Sequence, residues 1–299
     1  MEDIANVQIQ ESKDKANPIK EAFRVYGQVS KLVRSNLILI WGLFFLGLWL
    51  LSVALRNNMT ATISSADLLD NWLYNLVRPF PSPNEVGAAL YKMWSRQQLL
   101  SHVWATIKLN VVGLTYSTII SLIISYSSVI PVFQPFNKVV KLLRYIPFIG
   151  FTLIFFSLFT IGWPTKVAML TTGMTFFLVT SMTDAVNAIP RMKYELAKVL
   201  GYNDWQIFYN VVVRPTLPQM IDMVAQNAAI GWIMITSIET YSRNEKGIGT
   251  QLYAYYSTNN LPEVYGLLII IAVIALAEDG VFSLLKRYLF PYSVIAERG

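Results

Sequence analysis

Among the ionisable side chains that interrupt otherwise apolar runs of this 299-residue sequence are Lys108, Asp222, Glu239, Glu278 and Asp279. A single histidine, His102, stands at the mouth of one such run. A lone imidazole makes no metal site, and with no cysteine there is neither a disulfide framework nor a thiolate ligand set. Glu278 and Asp279, near the end of the last apolar run, read as helix-end pairing groups rather than as a carboxylate pair for glycoside or proton-transfer chemistry. No Gly-x-x-x-x-Gly-Lys-Ser/Thr phosphate cradle occurs, so the chain is expected to be no enzyme and to carry no cofactor of its own. What stands out instead is a long polar passage flanked on both sides by strongly hydrophobic runs, beginning Glu195-Leu196-Ala197-Lys198-Val199-Leu200-Gly201.

That passage reads as two short helices broken at Gly201. Leu196, Val199 and Leu200 recur at i, i+3, i+4 and a glycine follows at the natural stop. Asn203 is placed to cap a second helix, Asp204 suits the positive end of its dipole, and Gln206 completes a capping box. Trp205, Phe208, Tyr209 and Val212 are then expected on one face, as anchors for a groove. A helix-turn-helix DNA reader shares the Leu-Ala-x-x-Leu-Gly turn. Its setting between two membrane-grade runs, without a third packing helix, counts against that reading.

Glu195, Ala197 and Gly201, with Leu217-Pro218 after about fifteen further residues, form a pattern similar to the cytoplasmic coupling loop of binding-protein-dependent ABC importer permeases. Leu196 stands where that family usually has a second alanine, and Arg214-Pro215 replaces an earlier Leu-Pro by a one-residue offset. Trp232, Glu239 and Gly247-Ile248-Gly249 match residues of the family's fifth helix and the Gly-x-Gly after it. Residues 80–86, Phe-Pro-Ser-Pro-Asn-Glu-Val, resemble a segment outside the membrane in permeases for nitrate, sulfonates and taurine. The resemblance implies a type I importer fold and a small, anionic solute. It further implies a second permease subunit, two cytoplasmic ATPase subunits that bind ATP and Mg and grip the coupling loops, and an external solute-binding protein. Glu195, Ala197, Gly201, Trp205, Phe208, Leu217 and Pro218 would then couple to the ATPase.

The elements that must hold these residues follow from hydrophobicity. With 54% apolar and only 14% charged residues, an ordinary soluble core is excluded in favour of an all-α integral membrane protein. Six spans are expected at 37–55, 103–130, 142–161, 167–188, 217–240 and 264–285, each near the length that crosses about 30 Å of hydrocarbon. Around them lie a basic segment 1–36, which is either an amphipathic helix on the inner membrane face or against a partner, or a solvated tail; a proline-punctuated connection 56–102; a permease core 103–290 with its coupling loop at about 189–216; and a tail 291–299. Pro147 and Gly150 predict a kink or a broken start to the third span. If the N-terminus is cytoplasmic, sixteen of the 24 Lys and Arg fall on inner segments and seven on outer ones. That asymmetry puts both termini and the coupling loop on the cytoplasmic side, and the resemblance implies that the membrane is a bacterial inner membrane.

The fifth span is the least hydrophobic. Asp222, Gln226, Ala229, Thr236, Ser237 and Thr240 project within one arc of a helix. That stripe either lines a solute pathway or forms a close-packed helix seam. Gln226, Ser237, Thr240, Lys108 and Glu239 are the candidate pathway residues. Lys108 alternatively snorkels to the interface, and Glu239 alternatively pairs with Arg243. Asp222 is expected to be neutralised by Arg214 or by lysines of the coupling loop. The rival classes are an ion-coupled secondary transporter, for which no internal repeat is seen, and a structural membrane subunit, which would need neither a polar fifth span nor a capped aromatic loop.

Overall fold

An apolar helix that carries a small residue at every fourth position can bring its backbone against a neighbour, and one stretch of this chain does so: Gly113, Ser117, Ser121 and Ser125. The computed structural model describes residues 31–62, 71–96, 99–159, 162–241 and 245–291, and their regular elements are helices. They fall in two compact units, Met1–Ser82 and Pro83–Gly299.

In the first unit, α1 (Lys31–Thr62) contains the expected first span and α2 (Trp72–Val77) follows it. Ile38, Trp41, Phe44, Phe45 and Leu48 of α1 are exposed. A helix apolar on every side suits hydrocarbon rather than water. The indole of Trp49 donates to the Pro81 carbonyl (2.9 Å) and Arg56 donates to the Phe80 carbonyl (3.1 Å), tying the proline segment back to α1. Asn71 caps α2 through the amides of Leu73 and Tyr74. The expected amphipathic helix before α1 and the tail after 291 lie outside the described residues.

The second unit contains α3 (Pro83–Arg96), α4 (Leu99–Ser127), α5 (Gln134–Leu143), α6 (Phe148–Leu158) and α7 (Trp163–Asn187). These are followed by α8 (Arg191–Val199), α9 (Asp204–Ile207), α10 (Arg214–Tyr241), α11 (Ile248–Ser257) and α12 (Leu261–Leu289). The core forms where α7 packs between α4 and α10. Gly113, Ser117, Ser121 and Ser125 are all buried. A Cβ at Gly113 would meet Leu170 at 2.4 Å, while the hydroxyls of Ser121 and Ser125 lie 3.5 Å from the Thr175 and Val179 carbonyls of α7. Leu170, Met174, Leu178 and Met182 of α7 fill the space toward Ile235 and Ile238 of α10. A second cluster joins Met93, Leu99, Ile248 and Leu267, so that α3, α4, α11 and α12 meet.

Four helices among the described residues are long and apolar enough to cross a membrane: Asn36–Ala61, Leu99–Ser127, Asp204–Tyr241 and Leu261–Leu289. The expected fourth span is α7, whose 25 residues reach about 37 Å at 1.5 Å per residue. Its six threonines and buried Lys166 lower its hydropathy, and they are tolerated because its neighbours are helices rather than lipid. The expected third span is not one helix. Pro147 is extended at φ −55°, ψ 122° and caps α6, and a residue before proline avoids the helical region. The 11-residue α6 therefore reaches only about 16 Å.

The α4–α7 contact gives a direct test. Ser121→Leu forces a larger side chain against α7 and is expected to cost about 1–3 kcal/mol. Gly47→Ala on α1, where an added Cβ meets nothing within 4 Å, should be neutral or stabilise by up to about 1 kcal/mol. Thermal unfolding of the purified protein in detergent reads the difference; equal shifts would dismiss close α4–α7 packing.

Candidate functional site

The polar passage folds as its capping residues dictate. Gly201 sits at φ 78°, a region that an L side chain enters only at a cost. The Gly201 amide donates to the Lys198 carbonyl and the Tyr202 amide to that of Ala197, both at 3.0 Å. These are the two bonds of a Schellman stop. On the far side, the Asn203 side chain accepts from the Gln206 amide (2.8 Å) and the Gln206 side chain accepts from the Asn203 amide (3.0 Å). The capping box is thus closed in both directions.

Of the residues expected to couple to a partner, Ala197 and Pro218 are buried, Phe208 and Leu217 are partly buried, and Glu195, Gly201 and Trp205 are exposed. Val199 (85% exposed), Trp205 (74%), Met192 and Leu196 present apolar surface at this end. The expected single aromatic face is divided. Val212 is fully buried, whereas Trp205 and Tyr209 point outward. Phe208 links the two sides, stacked on Trp205 at 5.4 Å and edge-on to Tyr126 at 6.1 Å.

A second difference concerns Leu217-Pro218, which lies inside α10 rather than at the exit of a loop. The helix runs without a break from Asp204 to Tyr241, with a π-helical stretch at Phe208–Val213. Pro215 and Pro218 cannot donate to the preceding turn. The widened turn before them and the Thr216 hydroxyl, which donates to the Val212 carbonyl at 2.7 Å, carry the helix through this stretch.

At the other end of α10, Glu239 is 1% exposed. One carboxylate oxygen accepts from Thr106 Oγ1 and the other from the Gly249 amide, each at 2.7 Å. Thr106 in turn accepts from the Ile248 amide at 2.8 Å. His102 Nδ1 lies 3.1 Å from both the amide and the carbonyl of Gly247, so its ring is held there in either tautomer. Both glycines of Gly247-Ile248-Gly249 follow from this crowding. A Cβ at Gly249 would stand 2.5 Å from the Thr236 carbonyl oxygen, and one at Gly247 would stand 2.5 Å from the Glu239 carboxyl carbon. Glu239 therefore joins α4, α10 and α11. Thr106 is absent from any sequence reading because its partner is 133 positions away.

The remaining pathway candidates lie apart from this node. Gln226 and Ser237 are exposed, together with Ala229 and Ile233, on a face of α10 opposite Asn227, Ala228 and Trp232. Thr240 is partly buried, and its hydroxyl, like that of Ser237, bonds back to its own helix. Within this chain the stripe is an open face rather than a packed seam. Lys108 is exposed with its ammonium 5.2 Å from the centre of the Trp163 ring. Asp222 pairs with neither Arg214 nor a coupling-loop lysine. Its partner is Lys286 of α12, at 2.8 Å, and with Gln226, Ser283 and Arg287 the two line a polar pocket of about 400 Å³.

Glu278 departs most from expectation. It sits well inside α12 rather than at its end, and its carboxylate accepts from Asn110 Nδ2 at 2.9 and 3.0 Å and from Trp232 Nε1 at 2.7 Å. With Thr115 and Thr118 these three residues form the polar part of a cavity of about 690 Å³ between α4, α10 and α12, otherwise lined by apolar side chains such as Leu114, Val224 and Ile274. An acid amid leucines and isoleucines was visible in the sequence; its two donors, on other helices, were not.

Residues 113–291 match the family model described as binding-protein-dependent transport system inner membrane component. Among solved structures, the fold is similar to two crystal forms described as inward-facing conformations of the MetNI methionine ABC transporter. One aligns with a TM-score of 0.56 at 20% identity, covering 66% of this chain and 97% of that chain. The other aligns with 0.53 at 18% identity, covering 65% and 98%. At these identities the likeness is one of fold. No curated protein matches the sequence.

The node predicts that Thr106→Val, nearly isosteric, leaves the Ile248 amide without an acceptor and removes a donor from Glu239. The expected loss is about 1–3 kcal/mol, with Gly249→Ala at least as damaging because its clash is with backbone. Urea unfolding of the detergent-solubilised chain measures both; wild-type stability in Thr106→Val would show that water or relaxation replaces the bonds.

Proposed function

The chain belongs to the family of binding-protein-dependent transport system inner membrane components, and from that premise we propose that it is the permease subunit that turns ATP hydrolysis by separate partner subunits into alternating access for a small solute. The observation that carries this reading is the continuous helix Asp204–Tyr241, whose capped first turns stand beside exposed Leu196, Val199 and Trp205. A displacement applied to α9 by a partner passes to α10 without an intervening hinge loop, because a helix transmits motion as a body. Two such permease subunits, two ATPases at the coupling ends and an external solute-binding protein complete the proposed assembly. ATP and Mg are assigned to the ATPases, and rocking of the coupling ends switches the spans between inward and outward access.

The basic-residue asymmetry supports cytoplasmic termini and a cytoplasmic coupling loop in a bacterial inner membrane. Residues 80–86 support a small, anionic solute of the nitrate, sulfonate or taurine kind. Gln226, Ser237 and Thr240 are proposed to offer neutral hydrogen bonds to it, and the Asp222–Lys286 pair at 2.8 Å leaves Asp222 no uncompensated charge to repel it.

Coupling is tested by co-purification with the ATPase and by solute uptake in proteoliposomes. Trp205→Ala is expected to weaken ATPase binding by about 2 kcal/mol, roughly thirtyfold. Gly201→Val should strain the left-handed stop by about 1–2 kcal/mol and lower uptake while membrane insertion persists. Normal uptake in both variants would remove this end from coupling. For the pathway, Gln226→Leu and Ser237→Leu should reduce uptake more than Ile235→Leu, a volume-conserving change on the buried face of α10, without loss of assembly. Equal effects on the two faces would make the stripe a packing surface against the second subunit.

A further inference from the structure

The cavity between α4, α10 and α12 contains an electrostatic imbalance. The Glu278 carboxylate faces it from within the span, held by two neutral donors, Asn110 and Trp232. Among the described residues no Lys or Arg pairs with it, whereas Asp222, Asp184, Glu245 and Glu263 each have a cationic partner. An ionised carboxylate away from water is costly without a counter-charge, and neutral donors offset only part of that cost. The Asn110 amide is 3% exposed and gives its nitrogen to Glu278, leaving its oxygen without a partner. The amide cannot simply be reversed, since that would set its oxygen against the carboxylate. Both donors that reach Glu278 are therefore committed, and an ionised Glu278 has no counter-charge among the described residues.

Position narrows what can supply that charge. Glu278 is 17 residues from the start of α12 and 11 from its end, and Asn110 is 11 and 17 residues from the ends of α4. At 1.5 Å per residue, both lie at least about 16 Å from either helix end. A lipid amine sits at the interface of a hydrocarbon layer about 30 Å thick and does not reach that depth. The volume, about 690 Å³, is that of a small-molecule site: largely apolar with a few converging polar groups.

We propose that this cavity is a solute site for a protonated amine, with the ammonium against Glu278 and the rest of the molecule along the apolar wall of α4, α10 and α12. The inference rests on the permease reading and deepens it. Within the small-solute class it selects members that carry an ammonium group, zwitterionic aminosulfonates included, and leaves out nitrate and the sulfonates that lack an amine. Asn110 and Trp232 act as positioning residues that fix both carboxylate oxygens.

Equilibrium binding of radiolabelled n-butylamine to the full-length chain in phosphatidylcholine nanodiscs tests this without any ATPase. Butylammonium is expected to bind and to be displaced by unlabelled butylamine, with butanesulfonate at least tenfold weaker as a competitor. Glu278→Gln should lower butylammonium affinity at least tenfold while eluting and melting as the wild type. Equal competition by butanesulfonate would overturn the proposal even if no variant folds, and so would unchanged affinity in a folded Glu278→Gln. A loss of binding on adding phosphatidylethanolamine would assign the site to lipid and likewise overturn it. Selective binding in a chain that recruits no ATPase would sink the permease reading and leave the site standing. ATPase recruitment without selective binding would do the reverse.

Discussion

Close approach of α4 and α7 through Gly113, Ser117, Ser121 and Ser125 is the contact on which the rest of the second unit is built. In a membrane the apolar side chains of one helix gain little by leaving lipid for another helix, so association depends on packing distance and on polar groups that find partners. Small residues four apart supply the first, and the serine hydroxyls at the Thr175 and Val179 carbonyls supply the second. With α7 fixed between α4 and α10, its methionines fill an irregular space, as a flexible thioether side chain is suited to do.

The two ends of α10 are held by opposite means. At one end a buried carboxylate, Glu239, gathers a hydroxyl and backbone amides from α4 and α11. A buried acid stripped of such partners would be severely destabilising, so the two glycines that let the backbone approach it are part of the same arrangement. At the other end α10 continues into α9 through a π-helical stretch and ends in a capping box, with Trp205 and Tyr209 outward. One end is thus bonded within the chain while the other offers apolar surface outside it. That polarity is what the proposed coupling requires of a helix pushed at one end and anchored at the other.

Glu239 and Glu278 show how one residue type serves two ends. Both are acids inside predicted spans, yet Glu239 accepts from groups that lock three helices together, while Glu278 stands at the wall of a cavity with only neutral donors. Asp222 is a third case, paired with Lys286 beside the polar pocket. The functional weight of an intramembrane acid lies in its partners rather than in its presence.

By itself the sequence determined what is local. Apolar runs specified helices and most of their extents, Gly201 and Asn203 specified a stop and a start, and Pro147 specified a break, because each depends only on neighbouring backbone geometry and hydrophobicity. The spacing of polar residues on α10 likewise separated Gln226 and Ser237 from the buried face at Ala228 and Trp232. Tertiary structure alone decided which groups meet. Lys286 rather than Arg214 answers Asp222; Asn110 and Trp232 answer Glu278; Thr106 and Gly249 answer Glu239; and Phe208 and Val212 turn inward while Trp205 stays out. The physical reason is that helical periodicity states which residues share a face but not which helix that face meets. In a bundle, partners up to 168 positions apart are chosen by packing.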